Sequence, residues 1–140
     1  MRFNKNQDLT CSKIIDEYSE KALADIIWKF GEEEESRRIA KFIVNRRASK
    51  IFQDTIDLAE VIKTAKRKKT KKHPATKTFQ ALRMAVNSEL DSLKICLETL
   101  KEKLIKSGRV VIISFHSLED RIAKQSFKHL PNLLEKKIPI

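Results

Sequence analysis

Apolar residues recur every three or four positions along much of the chain, a spacing that places them on one face of a helix. Polar caps and helix breakers separate these stripes. They predict four helices before residue 70: Thr10 to Tyr18, a Ser19 cap to Gly31, about Glu33 to Arg47, and Thr55 to Lys66 after an Asp54 cap. Trp28 lies off the apolar face of its helix, and we expect it to pack against a neighbour in preference to stacking on a base. These helices predict a small helical subdomain.

The longest apolar stripe follows residue 75. Its members, separated by steps of three and four, are Phe79, Leu82, Val86, Leu90, Leu93, Leu97, Leu100 and Leu104. They predict one long helix, capped by Thr76 or Thr78 and reaching about Lys106. Taken alone, the stripe also fits a coiled coil. The segment that follows it favours a crossover helix packed on a parallel sheet.

That segment contains a β-branched run from Val110 to Ile113, apolar at every position. Such a run predicts a strand near 109–115, buried in a parallel sheet. A helix from about Leu118 to His129, capped by Ser117 and ended by Pro131, is expected to follow. The turn between them lies at the carboxyl end of the strand, where open α/β sheets bind ligands. We therefore expect an α/β chain, mostly helical, with one clear strand.

The charge of the chain limits the chemical class of its binding partner. The 30 lysines and arginines outnumber the 19 aspartates and glutamates, for a formal net charge of +11. This balance points to a nucleic acid or an anionic surface, with a merely solvated basic surface as the alternative. Residues 66–72 read KRKKTKK, which predicts an extended, solvated loop that contacts phosphates without identifying which polyanion.

Cysteine, histidine and glycine exclude several site types. Cys11 and Cys96 form no CxxC pair, and the three histidines show no metal-ligand spacing, so we expect no metal and a reducing cytoplasm. No apolar run approaches the roughly 20 residues of a membrane span. Gly31 and Gly108 are the only glycines. No glycine-rich turn for a nucleotide-like cofactor can be written with them, so we expect no cofactor-binding residues in this chain.

Three collinear stretches carry a family resemblance. They are YSEKALADIIWKFGEE followed by SRRIAKFIV, then HPATKTFQALRMAVNSEL, and finally SFHSLEDRI preceded by GRVVI. On these residues the chain resembles the MraW/RsmH family, S-adenosylmethionine-dependent enzymes that methylate N4 of a cytidine in bacterial 16S ribosomal RNA. Glu34 and Glu35 depart from the family, which usually has an arginine and an aromatic residue there. The single glycine at Gly108, where the family usually has two, also departs.

The resemblance implies a fragment of a class I, Rossmann-like methyltransferase. Residues 1–72 would be its helical insertion, which helps to hold the substrate, and residues 73–140 the C-terminal part of the methyltransferase domain. The family binds S-adenosylmethionine on segments N-terminal to the part seen here. We therefore expect a truncated form without the donor site and without independent catalysis. Its expected partners are small-subunit ribosomal RNA, or the ribosomal subunit, and a separate N-terminal half of the enzyme. The alternative is a non-catalytic, basic, RNA-binding helical remnant.

Candidate site residues follow from the motifs and the charge. His116, Ser117 and Asp120 are candidates for the catalytic pocket. A structural role is equally compatible with His116, and for Asp120 pairing with Arg121 or capping of the helix is favoured. The expected RNA contacts are Arg37, Arg38, Lys41, Arg67, Lys68, Lys69, Lys71, Lys72, His73 and Arg83. Arg83 and Asn87 either line the RNA cleft or anchor their helix to the sheet, and anchoring is favoured.

Overall fold

The computed structural model describes residues 1–68, 71–105 and 107–135, apart from the side chains of Lys101 and of residues 129–135. The described helices are α1 (Cys11–Glu17), α2 (Glu20–Gly31), α3 (Ser36–Ser49), α4 (Thr55–Ala65), α5 (Thr76–Asn87), α6 (Glu89–Lys103) and α7 (Ser117–Glu135). The chain divides into two compact units, Met1–Asn87 and Ser88–Ile140, called here the N-terminal and C-terminal units. Within the described ranges, no helix is long and apolar enough to cross a bilayer.

Local capping fixes where three of the predicted helices begin. The side-chain oxygens of Thr10 and Ser19 each accept a backbone N–H from the first turn of α1 and α2. Asp54 accepts two at the start of α4, from Ile56 and Asp57, each at 2.8 Å. Each such cap stabilises its helix by about 1 kcal/mol. The predicted starts of these three helices are confirmed.

The core of the N-terminal unit is built around α2, which packs against both α3 and α5, while α4 packs on α3. Its fully buried large side chains include Ile14, Leu23, Ile27, Ile39, Ile43, Ile62 and Leu82. Trp28 is 58% exposed, so the expectation that it packs against a neighbouring helix is wrong. The polar, outward side of α2 therefore carries a large aromatic surface.

Gly31 is needed for a close approach between helices. It is the last residue of α2, and the left-handed conformation that ends the helix falls on Glu32, at φ 48° and ψ 41°. A Cβ added to Gly31 would lie 2.6 Å from the carbonyl oxygen of Lys77 in α5. The helix ends at Gly31, as predicted, but the left-handed residue is Glu32, and Gly31 itself lets α2 approach α5.

The predicted long helix from residue 76 to 106 is wrong, because it breaks at Ser88. Ser88 is left-handed, at φ 49° and ψ 40°, and separates α5 from α6. Asn87 holds the end of α5 by donating to the Met1 carbonyl and accepting the Phe3 N–H, each at 2.8 Å. Asn87 thus anchors the N-terminal segment rather than a sheet. The predicted division between residues 1–72 and 73–140 stays a prediction about the family's domains.

The predicted strand near 109–115 is also wrong as a strand. No residue of the described ranges forms a β-ladder, and residues 109–114 are irregular. Val111, Ile113 and Phe115 are 86%, 78% and 91% exposed, while Val110 and Ile112 are half-buried. A parallel strand is stabilised by neighbouring strands on which it can pair. The described residues supply no such neighbour, so only the mostly helical part of the fold prediction is confirmed.

Helix α7 is longer than predicted. It runs from Ser117 to Glu135 and therefore continues past Pro131, which was expected to end it. Proline removes a hydrogen bond to the preceding turn, but its own φ near −65° is compatible with a helix. Pro131 therefore does not oblige the following residues to leave the helix.

Candidate nucleic-acid interface and the turn before α7

His116, one of the three candidate pocket residues, caps α7. Its carbonyl accepts the Asp120 N–H at 3.2 Å, and its Nδ1 accepts the Glu119 N–H at 3.3 Å. These are the bonds of an N-cap residue, so the prediction that Ser117 caps the helix is wrong. The Glu119 carboxylate reaches back and accepts the Phe115 N–H at 2.9 Å. The reciprocal arrangement is a capping box in which the glutamate reaches one residue further back than usual.

The cap determines where the proton of neutral His116 lies. Because Nδ1 accepts a backbone N–H, the ring hydrogen must be on Nε2. Nε2 lies 3.1 Å from Glu119 Oε1 but has no hydrogen bond of acceptable geometry. This approach is a close contact and not a hydrogen bond, since direction decides the strength of such a bond. The contacts of His116 therefore support its structural role, and its catalytic role stays a prediction.

The same turn brings together donor atoms of Glu89, His116 and Glu119, all within 4.8 Å of one another. A metal would have to bind Nε2, which would then lose its proton while Nδ1 still accepts the Glu119 N–H. The ring would carry no proton on either nitrogen, so metal binding and this helix cap exclude each other. We therefore assign no metal to this cluster.

The other two candidate pocket residues lie on the first turn of α7. Ser117 is the first helical residue and is exposed. Asp120 is paired with Lys124 one turn later, at 2.7 Å, in place of the pairing with Arg121 expected from the sequence. The structure thus places all three candidates within one turn, and their participation in chemistry stays a prediction.

The predicted RNA contacts on α3 separate into two groups. Arg37 and Lys41 lie one turn apart, and both are exposed. Arg38 is partly buried: its Nε donates to the Ala65 carbonyl, and its guanidinium lies 5.3 Å from the centre of the Phe42 ring. Arg38 therefore joins α3 to α4, and the exposed pair is the part of this face that a phosphate can reach.

Two further arginines of α3 also connect helices. Arg46 makes two hydrogen bonds to the Asp57 carboxylate, at 2.8 and 2.9 Å. Arg47 donates to the carbonyls of Ile15 and Tyr18 at 2.5 and 2.6 Å, where α1 ends. These guanidinium groups neutralise a carboxylate or satisfy helix-end carbonyls, so the basic surface of α3 is smaller than its sequence indicates.

The start of the basic loop is held by three consecutive glutamates. Lys66 pairs with Glu33 at 2.7 Å, and both side chains are only 5% exposed. Lys68 pairs with Glu34 through a short Nζ–carboxylate contact. The predicted solvation of the loop is therefore wrong for Lys66, whereas the side chains of Arg67 and Lys68 are exposed. The predicted contact Lys69 lies outside the described residues, and Lys71 and Lys72 are exposed.

The third glutamate, Glu35, binds the backbone of the loop. Its carboxylate accepts the N–H of Arg67 at 3.0 Å and that of Lys68 at 3.4 Å. The bond from the Arg67 N–H lowers the pKa of Glu35. The hydrogen bond between Lys68 and Glu34 lowers the pKa of Glu34 and raises that of Lys68. All three groups therefore remain charged over a wider range of pH than usual.

The remaining predicted contacts lie at the start and on the exposed side of α5. His73 is exposed, and its Nδ1 accepts the Ala75 N–H at 3.2 Å, while its carbonyl accepts the Thr76 hydroxyl at 2.8 Å. Thr76 is the first helical residue and Thr78 is fully buried, so neither is placed to cap α5. Arg83 is exposed on the same helix. His73 and Arg83 are therefore both accessible to RNA. The hydrogen bonds of His73 to Ala75 and Thr76 hold the turn before α5 and do not depend on RNA.

Sequence reasoning missed the role of Glu33, Glu34 and Glu35. The available signal was one of charge: four acidic residues, Glu32 to Glu35, precede α3, and an almost wholly basic loop follows α4. Helices α3 and α4 pack against each other and bring these two segments together. Opposite charge alone did not identify the pairing, since more than thirty residues separate the partners.

Comparison with known proteins shows the family of the chain. The profile of the MraW methylase family matches residues 1–140. "Ribosomal RNA small subunit methyltransferase H" of Koribacter versatilis is 49% identical over 132 residues, covering 91% of this chain and 41% of that protein. Proteins of the same name from Fusobacterium nucleatum and Synechocystis are 45% and 49% identical, covering 100% and 95% of this chain. The chain spans less than half the length of these relatives, at 45% and 44% of the latter two. The chain belongs to the MraW methylase family.

Proposed function

We propose that this chain is the RNA-facing part of a methyltransferase that transfers a methyl group from S-adenosylmethionine to N4 of a cytidine in small-subunit ribosomal RNA. The observation that carries the proposal is the match to the MraW methylase family along the whole chain, with relatives named as small-subunit ribosomal RNA methyltransferases. Family membership implies a class I methyltransferase fold. Residues 1–72 would then form the helical insertion, and residues 73–140 part of the methyltransferase domain.

The residues present do not fit a site for the methyl donor. Gly31 lies inside the contact between α2 and α5, where a Cβ would meet the Lys77 carbonyl, so it is not available to a ligand. Gly108 lies in the turn after α6 and donates to the Ile105 carbonyl at 2.9 Å, and a Cβ added to it would lie 2.8 Å from Leu104 Cδ1. Neither glycine opens a backbone path to a ligand between a strand and a helix. The donor would therefore be held by polypeptide outside these 140 residues.

The exposed apolar segment supports the need for such a partner. Val111, Ile113 and Phe115 present their side chains to solvent in an irregular stretch of the chain. A segment of this kind gains stability when it pairs with neighbouring strands. We propose that an N-terminal half of the enzyme supplies those strands and that the chain alone does not methylate RNA.

The surface charge supports an RNA substrate. The net charge of +11 is large for 140 residues, and Arg37, Lys41, Lys71 and Lys72 are exposed. Contacts of this kind bind phosphates with a strong dependence on salt. We propose that His116 and Ser117 shape the turn that meets the cytidine and that Asp120 contributes through its helix. The protein would act in the cytoplasm.

A second candidate function is RNA binding without catalysis. The N-terminal unit favours it, because this unit has its own buried core and three capped helices. Such a unit can be stable without the remainder of the enzyme. The two candidates differ in whether added donor-binding polypeptide yields methylation.

Co-expression tests the first proposal. The chain would be produced with the remaining part of the Fusobacterium nucleatum relative, and methylation of small ribosomal subunits that lack the modification would be followed with radiolabelled donor. We expect activity from the pair and none from either part alone. RNA binding by the chain without activity from the pair would favour the non-catalytic function.

A further inference from the structure

We propose that Glu33, Glu34 and Glu35 form an acidic clamp on the start of the basic loop, and that Glu34 withholds Lys68 from the phosphates of bound RNA. The inference rests on the proposed RNA-binding function and identifies a residue that sets the affinity. The clamp comprises these three glutamates and the loop residues they hold, Lys66 to Lys68.

The sequence position of the three glutamates has a simpler explanation, which the contacts support for Glu33 alone: its Oε1 accepts the N–H of Glu35, the N-cap residue of α3, at 3.2 Å. Acidic residues before a helix often stabilise it through the helix dipole or by capping. Helix α3 has no acidic residue in its first turn, and its N-cap residue Glu35 makes no side-chain capping bond. The Glu35 carboxylate binds the N–H groups of Arg67 and Lys68 instead. A capping position whose side chain serves another segment indicates that holding the loop is the role of this residue.

The three glutamates hold the loop with different permanence. Glu33 and Lys66 form a buried ion pair. If the pair separated, each charge would stay buried without a partner, which is energetically costly. Glu35 fixes the backbone of the loop and leaves the exposed side chain of Arg67 available for a ligand. These two contacts position the loop in the free and the RNA-bound protein alike.

The contact between Glu34 and Lys68 is of another kind. The two side chains are 66% and 69% exposed, so water and salt screen their attraction. The ammonium of Lys68 is accessible to a phosphate, but a carboxylate from the same chain already occupies it. A phosphate that approaches the remaining N–H groups of Lys68 is repelled by the Glu34 carboxylate, and Glu34 already neutralises the charge that would attract it. Glu34 thus keeps one cation of the loop from contributing to RNA affinity.

Salt dependence of RNA binding tests this role. Each phosphate neutralised on a single strand adds about 0.7 to the slope of log K against log salt, which corresponds to about fivefold in affinity at 0.1 M salt. The probe is a 20-nucleotide, single-stranded RNA bound to the full chain. Glu34→Gln is expected to raise both the affinity and the slope by these amounts, because Lys68 becomes free to contact a phosphate.

The Lys68→Gln variant, made in the wild-type and Glu34→Gln backgrounds, completes a double-mutant cycle. In the wild-type background it is expected to change affinity less than twofold, because Lys68 is already withheld. In the Glu34→Gln background it is expected to abolish the gain. Glu60→Gln is the matched control, since Glu60 is also exposed and paired with a lysine, Lys63 at 3.3 Å, but lies outside the clamp.

The backbone part of the clamp has a readout that needs no RNA. Glu35→Ala is expected to speed hydrogen exchange at the Arg67 and Lys68 amides at least tenfold, whereas Glu60→Gln leaves both unchanged. Unchanged exchange in Glu35→Ala would overturn the clamp itself.

The outcomes separate the inference from the function on which it rests. Equal slopes and affinities for wild type, Glu34→Gln and Glu60→Gln would overturn the role of Glu34 and leave RNA binding intact. A gain in Glu34→Gln that survives Lys68→Gln would do the same, because the gain would then come from general charge. If no variant binds RNA, both the RNA-binding function and the role of Glu34 are wrong, whatever the exchange result for Glu35.

Discussion

The N-terminal and C-terminal units differ in how fully each one buries its apolar side chains and satisfies its polar groups with its own residues. The N-terminal unit buries its large aliphatic side chains, caps three helices and pairs its buried charges. The C-terminal unit has few fully buried large side chains among its described residues, and it exposes Val111, Ile113 and Phe115. The lesson is that sequence similarity along the whole chain does not give equal self-sufficiency along it. Helices complete themselves through local bonds, whereas a parallel strand depends on neighbours.

The largest expected effect tests whether the N-terminal unit is as tightly satisfied as its contacts indicate. Glu33→Ala leaves the buried Lys66 ammonium without its partner and is expected to cost about 3–5 kcal/mol in the free energy of unfolding, measured in urea. Glu60→Ala removes an exposed pair and is expected to cost less than about 1 kcal/mol. Equal losses in the two variants would mean that Lys66 escapes to solvent, and the contrast between the units would weaken.

The next prediction breaks the comparison within the C-terminal unit. Leu97 is 2% exposed and Ile113 is 78% exposed. Leu97→Ala is expected to destabilise the chain by about 2–5 kcal/mol through lost burial and a cavity. Ile113→Thr is expected to change stability by no more than about 0.5 kcal/mol. Thermal unfolding followed by circular dichroism measures both. A large loss from Ile113→Thr would show that the segment is already covered in the isolated chain.

The same two variants, Leu97→Ala and Ile113→Thr, are expected to differ in the opposite way when the remainder of the enzyme is present. In a complex with the complementary part of a relative, Ile113→Thr is expected to weaken association, because the segment would then be buried. Leu97→Ala is expected to leave association unchanged after correction for the folded fraction. Association of wild type and Ile113→Thr with equal affinity would contradict the proposed pairing.

A smaller effect concerns the start of α7. His116→Ala is expected to cost about 1 kcal/mol because the cap is lost, whereas His116→Asn keeps a good cap and stays within a few tenths of a kcal/mol. Urea unfolding separates the two. If His116 also contacts the substrate, the complemented enzyme with His116→Asn is expected to lose methylation while remaining fully folded. Full activity in this variant would leave His116 with the structural role alone.

The smallest effect is a pH dependence of the acidic clamp. The pKa of Glu35 is lowered in the folded chain, so its contribution is present above the unfolded carboxyl pKa and is lost as the pH falls through the lower folded value. Protection of the Arg67 and Lys68 amides is therefore expected to persist at pH 5 and to disappear only under more acidic conditions. Hydrogen exchange measured from pH 6 downwards checks this. Loss of protection already at pH 6 would contradict it.

The sequence predicted what depends on near neighbours. The caps at Thr10, Ser19 and Asp54 follow from a side chain and an N–H two or three residues away, and all three are found. The break at Ser88 was missed because the apolar stripe continues across it without a change of spacing. The cap of α7 was assigned to Ser117 because serine is the commoner cap, although His116 satisfies the same N–H.

The missed features share a dependence on distant residues. The anchoring of the basic loop joins Glu33 to Lys66 and Glu34 to Lys68 across more than thirty positions. The strand near 109–115 required partners that no pattern within the segment reveals. The candidate pocket residues His116, Ser117 and Asp120 lie within one turn because one short motif contains them all, and their role stays a prediction. Their chemistry was not predictable to the same degree, since it depends on what faces them.

The contact between Gly31 and the Lys77 carbonyl has a genetic consequence. Every missense change of a glycine codon adds at least a Cβ, and here that atom would lie 2.6 Å from a backbone oxygen. A backbone oxygen cannot rotate away as the end of a long side chain can, so α5 would have to retreat from α2 as a body. No single nucleotide change at this codon supplies a smaller alternative. A viable lineage would therefore replace Gly31 only after a second mutation had already widened the gap between the two helices.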